Sequence, residues 1–340
     1  MQLSIILPTY NRLARLQRVL SGLERQTYPL AEAEVIVISD GSSDGTNEWL
    51  AAAGAPPPHA ALPDGPHASL RLVPILQANQ GVAAARNAGL ARATGDLVLF
   101  IDDDVVPAPQ LIAEHLATHA AEGAGVVVLG PMLTPPDFHM QPWVRWEQAM
   151  LAKQYADMMA GHWAPTARQF YTGNTSLARR YLVESGGFDP AFRRAEDVEL
   201  AYRLARRGVR FVFNPNAIGY HYAERSFNSW LQIPYVYGRN DVIFTRDKGQ
   251  DWLLPTVWHE YAHARNPLIR GLVQTCLDRP LLAGPAIQAM RLCATLGDRL
   301  GSEQATRVAY SGIFNLRNYQ GIADELGGRR ALFEGVRQAT

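Results

Sequence analysis

Cysteine is almost absent from this 340-residue chain, which contains only Cys276 and Cys293. Neither belongs to a Cys-x-x-Cys or Cys–His spacing, so a disulfide framework and a cysteine-based metal site are excluded. Reduced thiols are typical of the cytoplasm, and we expect the protein there, acting in solution or peripherally at the inner face of the membrane. Lysine is equally scarce: Lys153 and Lys248 are the two lysines of the sequence, and all other basic residues counted are arginines. This bias is typical of a GC-rich genome, in which arginine codons are frequent.

Net charge is also absent, because 32 basic residues balance 32 acidic ones. The chain therefore lacks the electrostatic attraction that nucleic-acid-binding proteins use, and nucleic acid is not an expected partner. The charge is nevertheless uneven, with −4 over residues 1–224 and +4 over residues 225–340. Aromatic residues accompany the cations of 225–340, a combination that predicts contact with an acceptor sugar or peripheral contact with an anionic membrane. The alternative is an ordinary helical cap.

Long apolar runs are missing as well. Charged residues and prolines interrupt every apolar stretch before it reaches the roughly 18 residues of a membrane-spanning helix. The first eight residues lack the basic start and long apolar run of a signal peptide, so none is expected.

Strand and helix patterns alternate in the first half of the chain. Short apolar runs predict strands at 3–7, 35–38, 70–76, 97–101 and 126–129. Helical spacing predicts helices at 13–23, 44–53, 82–93 and 111–120. This order predicts the α/β class with a doubly wound, mostly parallel sheet. A proline-rich segment at 55–69 is predicted to be a surface loop.

The alternation stops after Pro131. We predict a helix at 143–159, extended chain at 169–178, a helix at 194–207 and short strands at 209–213 and 217–220. Helices follow at 252–264, 268–277, 287–300 and 302–316. The chain therefore divides into an α/β domain at 1–224 and a helical C-terminal region at 225–340.

Polar residues follow three of the predicted strands, at 8–12, 39–46 and 102–104. Because ligands of such sheets bind at the carboxyl ends of strands, three polar ends together indicate a binding site. The first strand does not end in G-x-G-x-x-G, which argues against a nicotinamide or flavin enzyme.

Three consecutive aspartates, Asp102, Asp103 and Asp104, form the most specific local signal. Carboxylates packed at a buried strand end repel one another unless a cation lies among them. Alternation along an extended backbone predicts that Asp102 and Asp104 point the same way and Asp103 the other. Hard oxygen ligands of this kind suit Mg²⁺ or Mn²⁺, and a solvated acidic turn is the alternative.

Seven motifs in order carry a resemblance to a known family. They are P-T-Y-N at 8–11, D-G-S-S-D-G-T at 40–46, N-Q-G at 79–81 with A-R-N-A-G at 85–89, G-D at 95–96, F-I-D-D-D at 100–104, G-G-F-D at 186–189 and E-D at 196–197. The chain resembles the family 2 glycosyltransferases over residues 3–222. This resemblance implies the GT-A fold and an inverting transfer of sugar from a nucleotide-diphospho-sugar. It also makes 1–130 the nucleotide-binding half and 131–224 the acceptor and base half of the catalytic domain.

The resemblance implies site residues by position. The residues expected to bind the nucleotide-sugar are Pro8, Tyr10, Arg12, Asp40, Arg86, Asp102 and Asp103. Those expected to hold a divalent metal, Mn²⁺ or Mg²⁺, are Asp104, Asp102 and His221. Asp40 is expected to bind the base, commonly uracil, so UDP is the first nucleotide expected, with dTDP and GDP as alternatives. Arg86 is expected near the nucleotide and diphosphate.

Inversion requires a base opposite the leaving group, and Glu196-Asp197 opens a predicted helix that aims a carboxylate into a cleft. The resemblance assigns Asp197 as that base, with Glu196 second. Two acids that stabilise the dipole of a helix start are the alternative. The segments at 173–176 and 186–189 resemble those that line the pocket for donor and acceptor. The expected acceptor is the hydroxyl of a glycan or of a lipid-linked molecule.

A second motif points elsewhere. His259-Glu260-Tyr261-Ala262-His263 fits H-E-x-x-H, which on a helix can bind zinc in a metalloprotease. His115 and His119 show the same spacing without a motif, so we expect the pair at 259–263 to lie on an exposed helix face or an interface. Two further hypotheses stay open: a nucleotidyl- or phosphoryl-transferring enzyme that uses the same aspartates, and a non-catalytic module that binds a sugar nucleotide or glycan.

Overall fold

The computed structural model describes residues 2–30, 33–53 and 70–338. The loop predicted at 55–69 lies outside the described residues. Two compact units are present: one is drawn from Met1–Phe138 and Met150–Ala223, and the other from His139–Ala149 and Glu224–Thr340.

The strands of the first unit run in chain order from β1 to β10. They occupy Leu3–Thr9, Ala33–Asp40, Arg71–Gln77, Leu97–Ile101, Val105–Pro107, Val126–Leu129, Met132–Leu133, Asn174–Ala178, Arg210–Phe213 and Gly219–His221. Helices α1 to α7 occupy Leu13–Glu24, Thr46–Ala53, Val82–Arg92, Leu111–Glu122, Pro142–Met159, Arg179–Glu184 and Glu196–Arg206. A short 3-10 turn forms at Ala167–Gln169.

A seven-stranded sheet in the order β3-β2-β1-β4-β8-β6-β9 forms the centre of the first unit. Only β8 runs antiparallel to its neighbours in this sheet, as far as the described residues extend. Strands β1 and β4 are buried along their whole length, as parallel strands with covered faces are. Strands β5, β10 and β7 form a smaller sheet. The predicted class, a mostly parallel α/β sheet with a helical C-terminal region, is confirmed.

Two helices show how the faces of the sheet are buried. Helix α1 buries Leu16, Leu20 and Leu23 completely, and each such side chain contributes about 1.5–3 kcal/mol to stability. Helix α3 approaches more closely, because Gly89 has no side chain: a Cβ there would lie 2.7 Å from Cγ2 of Ile6. This close approach sets the first residues of α3 beside the carboxyl ends of the strands.

Those carboxyl ends create the binding edge. Strands β2, β1 and β4 are parallel neighbours, so the residues that follow Thr9, Asp40 and Ile101 meet at the same edge. The three polar strand ends of the sequence are therefore brought together by the topology of the sheet.

The second unit is helical. Helices α8 to α13 occupy Phe227–Asp247, Leu253–His259, Pro267–Cys276, Pro280–Arg299, Glu303–Leu326 and Arg329–Gln338. Helices α8 and α12 touch backbone to backbone: a Cβ on Gly321 would overlap the carbonyl oxygen of Tyr235. Among the described residues, no helix combines the length and the apolar character needed to cross a membrane.

Several predicted boundaries were wrong. The helix expected at 287–300 begins at Pro280, because proline is tolerated in the first turn, and the helix expected at 302–316 continues to Leu326. The helix expected at 252–264 changes at Glu260 into one turn of π-helix. The extended chain expected at 169–178 is a strand only from Asn174.

Candidate active site

The turn after β4 supplies the three aspartates, and Asp103 lies deepest in it. Its Oδ2 accepts a hydrogen bond from Thr9 Oγ1 at 2.8 Å, and its Oδ1 accepts one from Arg12 Nη1 at 2.8 Å. Burial raises the pKa of Asp103 to about 6 although Arg12 lowers it. Asp103 thus joins the end of β1 to the turn, and Thr9 is a partner that the sequence patterns did not single out.

The predicted alternation of the aspartates was wrong. Strand β4 ends at Ile101, and a turn closed by Val105 N donating to Asp102 O at 3.0 Å replaces the extended backbone. As a result Asp103 and Asp104 both contact Arg12, whereas Asp102 contacts Arg86.

Asp104 and His221 form a pair suited to a metal ion. Pairing of β10 with β5 sets His221 opposite Val105, which brings His221 Nε2 to 3.6 Å from Asp104 Oδ1. Arg12 and Arg15 lie on the other oxygen of Asp104, at 3.4 and 3.8 Å. Carboxylate and imidazole together suit Mn²⁺ better than Mg²⁺, which prefers oxygen ligands alone.

No group of three or more His, Cys, Asp or Glu side chains that could hold a metal ion is found among the residues that the structure describes. A two-residue pair fits a metal that takes its remaining ligands from a substrate diphosphate, the usual arrangement at phosphate sites. Asp102, the other predicted ligand, has a side chain that is 37% exposed and borders Gly173. The donor set therefore fits a metal completed by its substrate.

Arg86 is the buried centre of the site. Its Nη1 lies 2.5 Å from Glu196 Oε1, its Nη2 lies 2.8 Å from Asp102 Oδ1, and its guanidinium lies 5.6 Å from the centroid of the Phe188 ring. The prediction that Arg86 lies near the nucleotide and diphosphate stays a prediction. Both terminal nitrogens bind protein carboxylates, so Arg86 joins the turn after β4 to the start of α7.

Asp197 and Glu196 occupy different surroundings at the start of α7. The helix begins after Ala195, whose backbone is left-handed with φ 58°. Glu196 is held by Arg86, whereas Asp197 forms no ion pair with any described residue and accepts only a hydrogen bond from its neighbour Val198 N at 2.8 Å. Burial, and then the charge of Glu196, raises the pKa of Asp197 to about 7. A carboxylate in this state can accept a proton near neutral pH.

Asp40 stabilises the loop between β3 and α3. Its Oδ1 accepts hydrogen bonds from Gln77 Nε2 at 2.7 Å and Gln80 N at 2.9 Å, and its Oδ2 accepts one from Gly81 N at 2.8 Å. Gly41, with φ +83°, lets Asn79 approach, since a Cβ there would lie 2.7 Å from Asn79 N. Asp40 was predicted to bind the base of the nucleotide, but most of the hydrogen-bond acceptor capacity of its carboxylate is used within the protein.

The end of β1 presents Tyr10 to solvent and keeps Pro8 buried. Asn11, with φ 52°, accepts a hydrogen bond on Oδ1 from Ser43 N at 2.7 Å, and Asp44 Oδ2 accepts one from Leu13 N at 3.0 Å. Asn11 and Asp44 were not predicted to act in the site, although D-G-T after a strand is a known start of a helix.

The two remaining histidine pairs have other surroundings. His259 and His263 are exposed with ring centroids 4.7 Å apart, and Glu260 forms an ion pair with Arg265 at 3.0 Å. His115 is buried, bonded to Ser176 and Asn174, and burial lowers its pKa to about 4. The H-E-x-x-H motif thus has its glutamate engaged and a π-turn at its centre.

Family models match most of the chain. The model described as "Glycosyl transferase family 2" matches residues 4–187, and that described as "Glycosyl transferase family group 2" matches residues 97–295.

Relatives with known names share part of the sequence. A validoxylamine A glucosyltransferase of Streptomyces hygroscopicus subsp. jinggangensis is 33% identical over 246 residues, which cover 64% of this chain and 54% of the relative. A pre-mycofactocin glycosyltransferase of Mycobacterium tuberculosis is 28% identical over 220 residues, covering 64% and 43%. The chain spans about half the length of the curated relatives that it matches.

Solved structures share the fold. A mannosyltransferase from Pyrobaculum calidifontis in complex with GDP-Man and Mn²⁺ has a TM-score of 0.59 at 19% identity, over 94% of this chain and 86% of that one. Staphylococcus aureus TarS 1–349 in complex with UDP-GlcNAc has a TM-score of 0.56 at 18% identity, over 96% and 93%. The chain therefore has the GT-A fold.

Proposed function

Because the chain belongs to the family 2 glycosyltransferases, we propose that it transfers a sugar from a nucleotide-diphospho-sugar to a hydroxyl group, with inversion at the anomeric carbon. The observation that carries this proposal is the contrast between two adjacent carboxylates. Glu196 forms an ion pair with Arg86, whereas Asp197 forms none with a described residue, and burial raises its pKa to about 7 although the charge of Arg86 lowers it.

The donor is proposed to bind at the edge formed by β2, β1 and β4. Tyr10 and Arg12 are exposed there, next to Asp102 and Asp104. Asp104 and His221 would hold a divalent metal, with Asp102 beside them. When bound, such an ion neutralises the charge that grows on a departing diphosphate. Mn²⁺ bound in a solved relative of low identity supports this choice.

The chemical step is a single displacement. Asp197 takes the proton of the acceptor hydroxyl while the hydroxyl oxygen forms a bond to the anomeric carbon on the face opposite the phosphate. The bond from the anomeric carbon to the phosphate oxygen breaks, and a nucleoside diphosphate leaves with the electron pair. Arg86 acts as a positioning residue, because it fixes Asp102 on the donor side and Glu196 beside the base.

The acceptor is proposed to be a glycan or a lipid-linked molecule, recognised through 131–224. Gly173, whose missing side chain leaves room next to Asp102, belongs to this half. The region 225–340 is proposed to reach the inner face of the membrane from the cytoplasm. UDP remains the first nucleotide proposed, with dTDP and GDP as alternatives.

The test is a calorimetric and thermal-shift screen of UDP, dTDP, GDP and their sugars, with and without Mn²⁺. At a ligand concentration of 100 times Kd, binding adds about 2.7 kcal/mol to the free energy of unfolding. We expect one nucleotide to raise Tm by several degrees only with Mn²⁺. Asp104→Asn should abolish that shift, while Asp96→Asn, an exposed aspartate at the opposite end of β4, should keep it.

Two outcomes would contradict the proposal. If no nucleoside diphosphate or nucleotide-sugar stabilises the protein in the presence of Mn²⁺, the chain does not bind the proposed donor. If nucleoside triphosphates bind instead and pyrophosphate is released on turnover, the protein is a nucleotidyl-transferring enzyme.

A further inference from the structure

Helix α11 exposes an apolar face. From Leu281 to Leu296 its exposed residues are Leu281, Leu282, Gly284, Pro285, Gln288, Ala289, Leu292, Cys293 and Leu296. The only charged residue in that stretch, Arg291, turns inward, with its guanidinium 4.3 Å from the centroid of the Phe227 ring. A surface helix of a globular protein normally shows charged residues on its outer face, so this face requires an explanation.

The leucines of this face form a stripe along the helix. At about 100° per residue, Leu281, Leu292 and Leu296 lie within about 60° of one another, and they span about 22 Å along the axis. Leu281 is 88% exposed, Leu292 60% and Leu296 46%. The opposite side of α11 carries the buried Ile287 and Ala294, so α11 already contributes one apolar face to the core of its unit.

Cations stand at the two ends of the stripe. Arg279 precedes it and Arg299 follows it; both are exposed, and neither forms an ion pair with a residue in the described part of the chain. The neighbouring acids are engaged: Asp298 forms an ion pair with Arg145, and Asp278 accepts a hydrogen bond from Gln320 Nε2 at 2.6 Å. At the C-terminal end the charge of Asp298 is therefore offset by Arg145, which leaves the charge of Arg299 unopposed by its neighbour. At the other end Arg279 adjoins Asp278, whose hydrogen bond from a neutral amide does not offset its charge.

We propose that this face of α11 lies on an anionic lipid bilayer, with its leucines among the acyl chains and Arg279 and Arg299 on lipid phosphates. An apolar stripe whose polar member is the uncharged Gln288, bounded by arginines, matches the interface of a membrane, where apolar burial and attraction to anionic lipid act together. The inference rests on the proposed function in one respect: membrane binding would bring the enzyme to a lipid-linked acceptor. Vesicle binding is measured without donor, so the two can fail separately.

The experiment uses the full chain and vesicles of POPC alone or POPC with 30 mol% POPG. Cys293 lies on the face and is exposed, whereas Cys276 is buried, so an environment-sensitive fluorophore attached to Cys293 reports on the face itself. We expect flotation with the anionic vesicles, a blue shift of the fluorophore, and at least tenfold weaker binding to POPC alone.

The decisive variant is the double substitution Leu292→Glu with Leu296→Glu, which should weaken binding to anionic vesicles at least tenfold. Its matched control is Met159→Glu with Val183→Glu, because these side chains of the first unit are similarly exposed, at 59% and 52%. The control should bind vesicles like the unaltered protein. Both variants should retain Mn²⁺-dependent nucleotide binding, which shows that they are folded.

Three results would overturn the inference. The first is no flotation with anionic vesicles, and the second is an equal loss in the control variant. The third is a dimer, detected by light scattering, that Leu292→Glu with Leu296→Glu converts to a monomer without any vesicle binding; the stripe would then be covered by a second copy of the chain.

Discussion

Adjacent carboxylates can take different roles when their surroundings differ, and Glu196 and Asp197 lie in different surroundings. The guanidinium of Arg86 forms ion pairs with Glu196 and with Asp102. Asp197 receives no such direct partner among the described residues, so burial keeps its pKa near neutrality. A carboxyl with a pKa of about 7 is partly ionised near neutral pH, which suits the role of base proposed for Asp197.

The pKa of Asp197 makes a stability prediction. Because it is about 7 in the folded protein and about 3.9 in an unfolded chain, the folded state binds the extra proton between these values. Stability therefore falls as pH rises from about 4 through 7, and the full penalty is present at pH 8. Asp197→Asn should raise Tm at pH 8 by about 2 °C or more, and the gain should vanish near pH 4.

The control for that measurement is Glu196→Gln, which leaves the buried Arg86 without its buried charged partner and should lower Tm at pH 8. A Tm gain for Asp197→Asn that is the same at pH 4 and pH 8 would show that Asp197 has an ordinary pKa, and its role as base would lose its physical support.

Arg86 provides a second prediction at the scale of one residue. Lysine keeps the charge but cannot bind Glu196 and Asp102 together, because it lacks the planar fork. Arg86→Lys should lower kcat at least tenfold and shift the pH at which the rate is half-maximal, since the charge balance around Asp197 changes. A variant that loses stability in urea but keeps kcat and its pH profile would reduce Arg86 to a structural residue.

At the scale of elements, the strands with the clearest patterns were predicted with both ends correct, as at Leu97–Ile101 and Val126–Leu129. These strands are fully buried, so their apolar runs are continuous and polar or glycine residues mark their ends. The short strands Val105–Pro107 and Met132–Leu133 were missed, because each exists only through its pairing with Gly219–His221. Strands this short show no alternation of apolar and polar residues in the sequence.

The same distinction applies to the site. Local motifs predicted the strand ends, and the parallel order of the strands brought them together. The ion pair between Arg86 and Glu196, 110 positions apart, could not be predicted, since it depends on where α7 starts relative to α3. The turn at Asp102–Asp104 was also beyond the pattern, because alternation applies only while the strand continues.

Two glycines of the second unit, one at a helix contact and one in open space, provide a prediction about helix packing. A Cβ on Gly321 would overlap the carbonyl oxygen of Tyr235, so Gly321→Ala should force α8 and α12 apart and lower the free energy of unfolding by about 1–3 kcal/mol or more. Gly284 in α11 has no atom within 4 Å of the same position, so Gly284→Ala should raise it by roughly 0.5–1 kcal/mol. Urea unfolding of the two variants measures both values; equal effects would contradict the close contact of α8 and α12.

At the scale of the whole molecule, zero net charge conceals −4 over residues 1–224 and +4 over residues 225–340. In the first unit the carboxylates of the candidate site are held by Arg12, Arg15 and Arg86, with one oxygen of Asp104 facing His221. In the second, exposed arginines flank an apolar face. The first unit thus holds the site proposed for a metal with a diphosphate, and the second unit holds the face proposed for an anionic surface.

The central claim is that Asp197 is the base of a sugar transfer. The measurement that tests it most directly is release of nucleoside diphosphate from the donor identified by the binding screen, with Mn²⁺, between pH 5 and pH 9. The unaltered protein should turn over with a rate that rises through about pH 7 and then levels. Asp197→Asn should lower that rate by about 10²–10⁴-fold while donor affinity stays nearly constant. Undiminished release by Asp197→Asn, or a rate independent of pH across that range, would contradict the account.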